Sequence, residues 1–402
     1  MQNDHDGGRG PMEHAERLAH EVCEGRLSRR EFLARTAALG LGATAVGALL
    51  AACGTTSTSS ATTSASPVAM DTTLPKKLYI YNWSDYSSQD VYDDFEKQYG
   101  VTVVESFYDG NETLNTKLRA GAGGYDVVFP TDKWVSINAK SDLIQALDMS
   151  LIPNFAKYVT QPLFQKPPFD NPDEQGGKKY SVPYMFGSTG IGLRRDKVPN
   201  VEAVDSWSIA WDPTWKRQIS MLDEPVECVN AALMFLGYPA NSTDQAQIDA
   251  ATQKLIEQKP LVAQYTSTVD KREMIQGVPV VHCWDGDAAA AMKDIGESKL
   301  RYMLPKEGFM LWMDGIAIPT TAPSPYAAHL FLDFILEPKN AGSAANYIGY
   351  QPAVEDAMQY VTDKVQAAMR PTPDILAKGQ LPKDLGAFEA LYQDAWAKVK
   401  SA

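Results

Sequence analysis

Histidine is scarce in this chain, and its scarcity limits the chemistry that the protein can perform. Five histidines occur among 402 residues, and three of them precede residue 53, which leaves His282 and His329. A histidine-rich zinc site is therefore not expected, because such a site needs several imidazole ligands. A Ser/His/Asp hydrolase would have to use one of these two histidines, and no Gly-x-Ser-x-Gly elbow is present. We expect no enzyme, no metal and no cofactor.

Cysteine is also rare, with four residues in the whole chain. Cys23 and Cys53 lie in the N-terminal region, and Cys228 and Cys283 lie far beyond it. In an oxidising compartment the last two could pair. Spacing alone gives no Cα separation, so a Cys228–Cys283 disulfide and two buried thiols are both compatible with the sequence.

Positive charge is in deficit. The chain has 37 Lys and Arg against 50 Asp and Glu, and residues 53–402 keep 31 of the former and 43 of the latter, a formal net charge of −12. A nucleic acid is therefore not expected as a partner, because its affinity depends on basic residues that neutralise phosphates. A cationic solute suits this balance, although net charge affects solubility and steering more than any one site.

The apolar stretch at the N-terminus is too short to span a membrane. It covers about 17 residues, 36–52, where roughly 20 are needed. The stretch follows Ser28-Arg29-Arg30-Glu31-Phe32-Leu33 and ends in Leu50-Ala51-Ala52-Cys53. Paired arginines are typical of a twin-arginine export signal, and small residues before a cysteine are typical of a lipoprotein processing site. We predict a signal peptide over 1–52 and a diacylated Cys53, which would anchor the exported chain at the outer face of the cytoplasmic membrane or in the periplasm.

Residues 53–73 are dominated by Ser, Thr and Ala. Such a tract buries too little apolar surface to offset its chain entropy. We predict a flexible linker that tethers the following domain while letting it reorient.

The remaining residues, from 74 to 402, alternate between strand and helix patterns. The patterns predict strands over 77–82, 101–106, 125–130, 191–193, 219–223 and 278–284, and helices over 90–99, 111–120, 226–236 and 245–258. This order predicts two α/β domains with open sheets, whose ligands lie at the carboxyl ends of the strands. Residues 184–190 and 311–319 would then be crossovers between the domains.

A series of short motifs gives the chain a specific resemblance. In order along the sequence they are Tyr81-Asn82-Trp83-Ser84-Asp85-Tyr86, Asn111-Glu112-Thr113, Tyr125-Asp126-Val127-Val128, Pro183-Tyr184, Ile191-Gly192, Leu236-Gly237-Tyr238, Pro305-Lys306-Glu307-Gly308 and Trp312-Met313-Asp314. With these motifs, the chain resembles the periplasmic spermidine/putrescine-binding proteins over nearly all of its length after the linker.

The resemblance implies a two-lobed α/β fold of the periplasmic-binding-protein type II, or Venus flytrap, class with hinge crossovers. Lobe 1 would comprise 74–188 and 314–359, and lobe 2 would comprise 189–313 and 360–402. It also implies a monomeric solute-binding lipoprotein that closes on a polyamine and docks on the membrane permease of an ABC importer.

The resemblance also assigns candidate cleft residues, whose types suit a small organic cation. An ammonium group donates hydrogen bonds only, so it requires acceptors, and aromatic faces can cover its methylene chain. The candidates are Trp83, Ser84, Asp85, Tyr86, Thr131, Glu227, Trp284, Asp287, Trp312, Asp314 and Tyr350.

Three positions depart from the pattern of the family. Lys133 replaces an aromatic residue of many relatives and would repel a cation unless it points to solvent or pairs with Asp132. Pro382 falls near a polar amide that helps some relatives hold a triamine, which favours a diamine here. Thr266-Ser267 lies near a serine that relatives use.

Two other functions remain compatible with the sequence. The same fold could bind another solute, such as an amino acid derivative, a thiamine-like cation or iron. A free α-carboxylate usually requires an arginine, and a ferric site usually requires clustered tyrosines, and the matched positions contain neither. The fold could also serve an extracellular enzyme or a sensor, because fold alone does not determine function.

Overall fold

The computed structural model of the chain describes residues 70–402 apart from 122, 267–273 and 275. The predicted signal peptide over 1–52, the lipidation site Cys53 and most of the linker predicted over 53–73 lie outside the described residues, as does Ser267. Within the described part, no helix has both the length and the hydropathy needed to cross a membrane.

The strands form one mixed sheet. They are β1 (Lys77–Trp83), β2 (Thr102–Tyr108), β3 (Val127–Val128), β4 (Ser181–Arg194), β5 (Ile219–Leu222), β6 (Val262–Thr266), β7 (Val280–Trp284), β8 (Leu300–Met303), β9 (Phe309–Ala317), β10 (Gln351–Pro352) and β11 (Gly379–Gln380). Their order across the sheet is β2-β1-β3-β9-β4-β7-β5-β6, and β8 and β10 also pair with β4 while β11 pairs with β9.

Helices cover the faces of the sheet. They are α1 (Gln89–Tyr99), α2 (Asn111–Arg119), α3 (Lys133–Lys140), α4 (Pro153–Tyr158), α5 (Pro162–Gln165), α6 (Pro225–Phe235), α7 (Gln245–Gln258), α8 (Asp285–Ile295), α9 (Pro325–Ile335), α10 (Pro338–Ile348), α11 (Lys364–Met369), α12 (Pro373–Leu376) and α13 (Glu389–Ser401). Short 3₁₀ turns lie at Met149–Leu151, Val201–Ala203, Trp207–Trp211, Pro213–Trp215, Lys259–Leu261, Glu297–Lys299, Glu355–Tyr360 and Gly386–Phe388.

The predicted strand–helix–strand unit at the start of the domain is confirmed. Helix α1 is capped by Ser88, whose side chain accepts a hydrogen bond from Val91 N, and it ends at Gly100 in the left-handed region with φ 70°. Strands β1 and β2 pair in parallel. Strand β3 is shorter than the predicted 125–130, and beside it the Asp126 carboxylate accepts a hydrogen bond from the Tyr79 amide at 2.9 Å.

Strands β4 and β9 join the two halves of the molecule. They pair antiparallel from Ser181 with Ala317 to Thr189 with Met310, with one register shift between Pro183 and Phe186. Every residue of β4 is buried. The predicted crossovers over 184–190 and 311–319 fall largely on these two strands, which makes the sheet continuous between the halves.

The buried side chains form two separate hydrophobic cores. The first contains Phe95, whose ring lies 5.2 Å from that of Phe331 in an edge-to-face arrangement. The second contains Trp207 and Tyr392. Two cores on one α/β sheet agree with the predicted two-lobed fold. The range 360–402 was predicted to belong to lobe 2, yet Leu376 and Leu381 of that range pack in the first core. The lobe boundaries near 188, 313 and 359 remain predictions.

Cys228 and Cys283 lie buried in the second core and are not joined by a disulfide. The Cys228 thiol instead donates to the Leu222 carbonyl at 3.0 Å. Of the two arrangements that the sequence left open, the structure has the two buried thiols.

A buried carboxylate fixes the start of β4. Asp170 is fully buried and accepts hydrogen bonds from the Tyr180 and Ser181 amides and the Ser181 hydroxyl at 2.8–3.1 Å. Its Oδ2 also lies 3.2 Å from Lys179 Nζ, and both side chains of this ion pair are nearly inaccessible to water.

Replacing Asp170 with Ala is expected to lower the free energy of unfolding by about 3–5 kcal/mol, because it leaves the Lys179 ammonium buried without a counter-ion. Asp173→Ala is the matched control, since it breaks an exposed Asp–Lys pair with Lys166, and it should cost less than about 1 kcal/mol. Urea unfolding followed by circular dichroism measures both. Equal losses in the two variants would contradict a structural role for the buried pair.

Candidate functional site

A cavity of about 760 Å³ lies where the two halves of the sheet meet. It is lined by Trp83, Ser84, Tyr86, Asp109, Asn111, Thr131, Glu224, Trp284, Trp312, Asp314 and Tyr350. Eight of the eleven residues predicted for the cleft therefore line one space. Their role in binding remains a prediction.

The sheet topology explains why distant residues meet here. Trp83 ends β1, Asp109 follows the last residue of β2, and Thr131 follows β3 after a short loop. The carboxyl ends of parallel strands lie at one edge of a sheet, where α/β proteins place their ligands. Asp314 reaches the same edge from β9 through an isolated bridge with Thr131.

Asp314 is the most enclosed carboxylate of this cavity. It is 7 % exposed, and its two oxygens accept hydrogen bonds from different hydroxyls, Oδ2 from Tyr86 and Oδ1 from Thr131. Burial raises the pKa of Asp314 to about 6, and the two hydrogen bonds partly offset that rise. The carboxylate is therefore held in position by neutral groups.

Aromatic rings form the walls of the cavity. The Tyr350 ring lies 4.8 Å from Trp312 at 77° and 6.3 Å from Tyr86 at 65°. Trp83 stands apart from this group and donates from Nε1 to the Phe129 carbonyl at 3.0 Å. The Trp312 Nε1 group is buried, and no described residue accepts its hydrogen bond.

Two glycines let these rings lie directly against the backbone. A Cβ atom on Gly187 would lie 2.3 Å from the Trp312 ring, and one on Gly286 would lie 2.2 Å from the Tyr350 ring. Both separations are far below van der Waals contact. Any other residue at either position would displace an aromatic wall of the cavity.

A smaller cavity of about 220 Å³ adjoins the first, since Asn111, Thr131, Glu224 and Trp284 line both. Glu227 lines this second space and not the first. The residue is half-buried, and its Oε2 atom is enclosed without a hydrogen-bond partner among the described residues. Burial raises the pKa of Glu227 to about 8, although the Thr189 hydroxyl opposes the rise.

Asp85 and Asp287, also predicted for the cleft, line neither cavity. Asp85 is exposed, and its Oδ1 accepts a hydrogen bond from the Tyr347 hydroxyl at 3.5 Å. Asp287 is half-buried in the first turn of α8. Asp285, two positions earlier, is fully buried instead, and burial raises its pKa to about 7.

The sequence left open whether Lys133 points to solvent or pairs with Asp132, and the structure shows a different partner. Its Nζ lies 2.9 Å from both carboxylate oxygens of Glu389, the first residue of α13. The predicted alternative partner, Asp132, accepts a hydrogen bond from the Met313 amide at 2.7 Å. Burial and the nearby Asp314 charge raise the pKa of Asp132 well above its usual range.

Sequence reasoning missed three residues that line the larger cavity: Asp109, Asn111 and Glu224. Asn111 belongs to a motif of the resemblance, and its side-chain oxygen accepts a hydrogen bond from the Thr131 amide at 3.1 Å. Asp109 directly follows β2, and this position at the carboxyl end of a parallel strand was the signal that could have identified it. Glu224 precedes α6 and resembles an ordinary residue before a helix-starting proline.

The cleft combines buried acids with aromatic faces, an arrangement suited to an organic cation. Within the described ranges, no three His, Cys, Asp or Glu side chains group as metal ligands would. Without a cation, Glu227 keeps its proton near neutral pH because desolvation disfavours its charged form, whereas Asp314 is mostly ionised there.

Comparison with known proteins gives a consistent match. Residues 90–371 match the family described as bacterial extracellular solute-binding protein. The chain is 32% identical over 328 residues to the spermidine/putrescine-binding periplasmic protein of Salmonella typhimurium, covering 81% of this chain and 91% of the relative. It is 30% identical over 347 residues to a putrescine/cadaverine-binding protein of Pseudomonas aeruginosa, covering 83% and 96%.

A solved structure supports the same fold. The spermidine/putrescine ABC transporter substrate-binding protein PotD of Streptococcus pneumoniae, in complex with calcium and HEPES, superimposes with a TM-score of 0.74 at 27% identity. The match covers 81% of this chain and 99% of that one.

Glu227→Gln is expected to make the ligand-free chain more stable at alkaline pH. The pKa of Glu227 is about 8 in the folded chain and 4.5 in the reference state, so between these values the unfolded chain ionises first and the free energy of unfolding falls as pH rises. Glutamine cannot ionise. The variant should therefore match the wild type near pH 4.5 and exceed it by a few kcal/mol at pH 8.

Chemical denaturation at several pH values measures this difference. The exposed Glu257→Gln serves as the control and should change the free energy of unfolding by less than about 0.5 kcal/mol throughout. A Glu227→Gln variant that is less stable than the wild type at pH 8 would refute the assignment of a costly buried charge.

Proposed function

The chain belongs to the bacterial extracellular solute-binding protein family, and from this membership we propose that it captures a polyamine of the putrescine and spermidine class between its lobes. The complex would then deliver the amine to the membrane permease of an ABC importer, with the chain acting as a monomer. The observation that carries the proposal is Asp314, a buried carboxylate held by the Tyr86 and Thr131 hydroxyls within an aromatic cleft.

The names of the relatives support this class of ligand. One relative is named for spermidine and putrescine, and another is named for putrescine and cadaverine. All of these are linear amines with ammonium ends and apolar methylene stems.

The chemistry of the cleft suits such a molecule. An ammonium group removed from water costs several kcal/mol unless acceptors replace its hydration. Asp314 supplies a charge-assisted acceptor in the larger cavity, and the unpartnered Glu227 oxygen supplies another in the smaller one. The faces of Trp83, Trp312 and Tyr350 cover the stem, and each cation–aromatic contact adds about 0.5–2 kcal/mol.

Ligand entry and protonation are coupled in this proposal. The buried acids are partly protonated when the cleft is empty, and an incoming ammonium favours their charged forms. Binding therefore releases protons. The ligand contacts both halves of the cleft only when they are closed, and this difference in contacts drives the hinge.

Two alternatives are distinguishable from this function. A binder of another solute would ignore amines and bind an amino acid derivative or a thiamine-like cation instead. An enzyme or sensor on the same scaffold would turn over its solute or dock on a receptor domain.

Asp314→Asn is expected to weaken polyamine binding by at least about 30-fold, because a buried acceptor of the ammonium loses its charge. Isothermal titration of the purified full chain with putrescine, cadaverine, spermidine, spermine and a panel of neutral amino acids measures the affinity. The exposed Asp173→Asn is the control and should bind as the wild type does.

The panel also separates the alternatives. Binding of an amino acid by a wild-type chain that ignores every amine would overturn the polyamine proposal and leave the family assignment intact. Undiminished amine binding by Asp314→Asn would remove Asp314 from the site.

We further propose that the exported chain is held at the membrane through lipid on Cys53, as the residues preceding this cysteine indicate. Cys53→Ser is expected to move the protein from the membrane fraction to the soluble fraction of cells and to abolish palmitate labelling. A Cys23→Ser chain is the control and should remain in the membrane fraction. Membrane retention of Cys53→Ser would show that another element anchors the chain.

A further inference from the structure

The outer end of the smaller cavity is closed by an ion pair that belongs to the protein itself. Lys133 and Glu389 both line this cavity, and the Lys133 ammonium lies 2.9 Å from both Glu389 oxygens. Both side chains are about one quarter exposed. The pair therefore lies at the boundary between the cavity and solvent.

The pair links the two halves of the cleft. Val135 of α3 packs in the first core, whereas Tyr392 and Trp396 of α13 pack in the second. Lys133 begins α3 and Glu389 begins α13. An ion pair between these helix starts spans the same gap that a bound ligand would span.

Helix stability alone does not account for a lysine at this position. A positive charge at a helix N-terminus is disfavoured by the helix dipole, whereas a negative charge there is favoured. Glu389 is therefore well placed in α13 with or without its partner, and Lys133 is unfavourably placed in α3. The ion pair with Glu389 offsets this unfavourable position and holds the Lys133 ammonium at the small cavity.

The neighbouring side chains are those that would attract an amine. Glu227, Asp132 and Glu224 line the same small cavity; Asp132 is buried and the other two are half-buried. An amine held by Asp314 in the larger cavity can extend past the shared wall towards Glu227. An additional ammonium group beyond that point would be repelled by the Lys133 ammonium. The Glu389 carboxylate could not attract it, because Lys133 already neutralises that charge.

We propose that Lys133 sets the length of ligand that the cleft accepts, by placing its own ammonium on Glu389 where the extra ammonium of a longer amine would bind. The cleft then selects a diamine over a triamine. This inference rests on the proposed polyamine function and concerns a single residue within it.

Removing the lysine ammonium is expected to relax the selection. The purified full chain is titrated calorimetrically with putrescine and spermidine, and the ratio of the two dissociation constants is compared between variants. Wild type should prefer putrescine. Lys133→Met should improve spermidine binding by about tenfold or more while changing putrescine binding by less than about threefold.

A second substitution tests the role of the freed carboxylate. Adding Glu389→Gln to Lys133→Met should remove most of the gain for spermidine, because the vacated acceptor no longer carries charge. Lys133→Arg keeps the positive charge and should keep the preference of the wild type, and thermal melting confirms that each variant is folded.

Lys140→Met is the matched control. Lys140 lies on the same helix and pairs with Asp384 at 2.8 Å, yet it lines neither cavity. Its removal takes away one positive charge and one ion pair, and it should leave the ratio unchanged.

The outcomes separate this inference from the function on which it rests. If putrescine and spermidine bind but Lys133→Met leaves their ratio unaltered, or shifts it no more than Lys140→Met does, the length-selection role is wrong and the polyamine function stands. If the wild type binds neither amine, both proposals fall.

Discussion

The structure of the cleft depends on one costly arrangement, the burial of carboxylates without a cation beside them. Asp314 is kept in place by two hydroxyl groups, and Glu227 has an oxygen with no hydrogen-bond partner in the part of the chain that the structure describes. Burial raises the pKa of both groups towards neutrality or beyond it. The empty cleft is therefore destabilised, and under the proposed function a cation would relieve this cost, so that binding energy and closure would have the same origin.

The backbone supports this arrangement with little freedom to change. Strands β4 and β9 carry the sheet from one core to the other. Gly187 on β4 accommodates the Trp312 ring, and Gly286 at the start of α8 accommodates the Tyr350 ring. Strand β4, which connects the lobes, thus also limits the position of the Trp312 wall, and the start of α8 limits that of the Tyr350 wall.

Local sequence patterns predicted most of the fold, because helix α1 and strands β1 and β2 carry their own signals in capping residues and β-branched runs. The pattern predicted a longer β3 than the structure has. Beside this strand, the Asp126 carboxylate accepts hydrogen bonds from the Tyr79 and Ser324 amides. Side-chain partners from distant segments were harder to predict. Nothing near Lys133 indicates Glu389, which lies 256 residues later, and only the packing of α13 brings the two together.

The two thiols within the second core have a practical consequence. Cys228 and Cys283 are inaccessible to solvent, and burial raises the pKa of Cys228 well above its usual value. Thiol reagents require an exposed thiolate, so neither residue competes for a label. With Cys23 and Cys53 replaced, one cysteine introduced near the exposed Tyr347, beside Asp85, can carry an environment-sensitive dye. The fold thereby allows one chosen surface position to be labelled without interference from the two cysteines of its core.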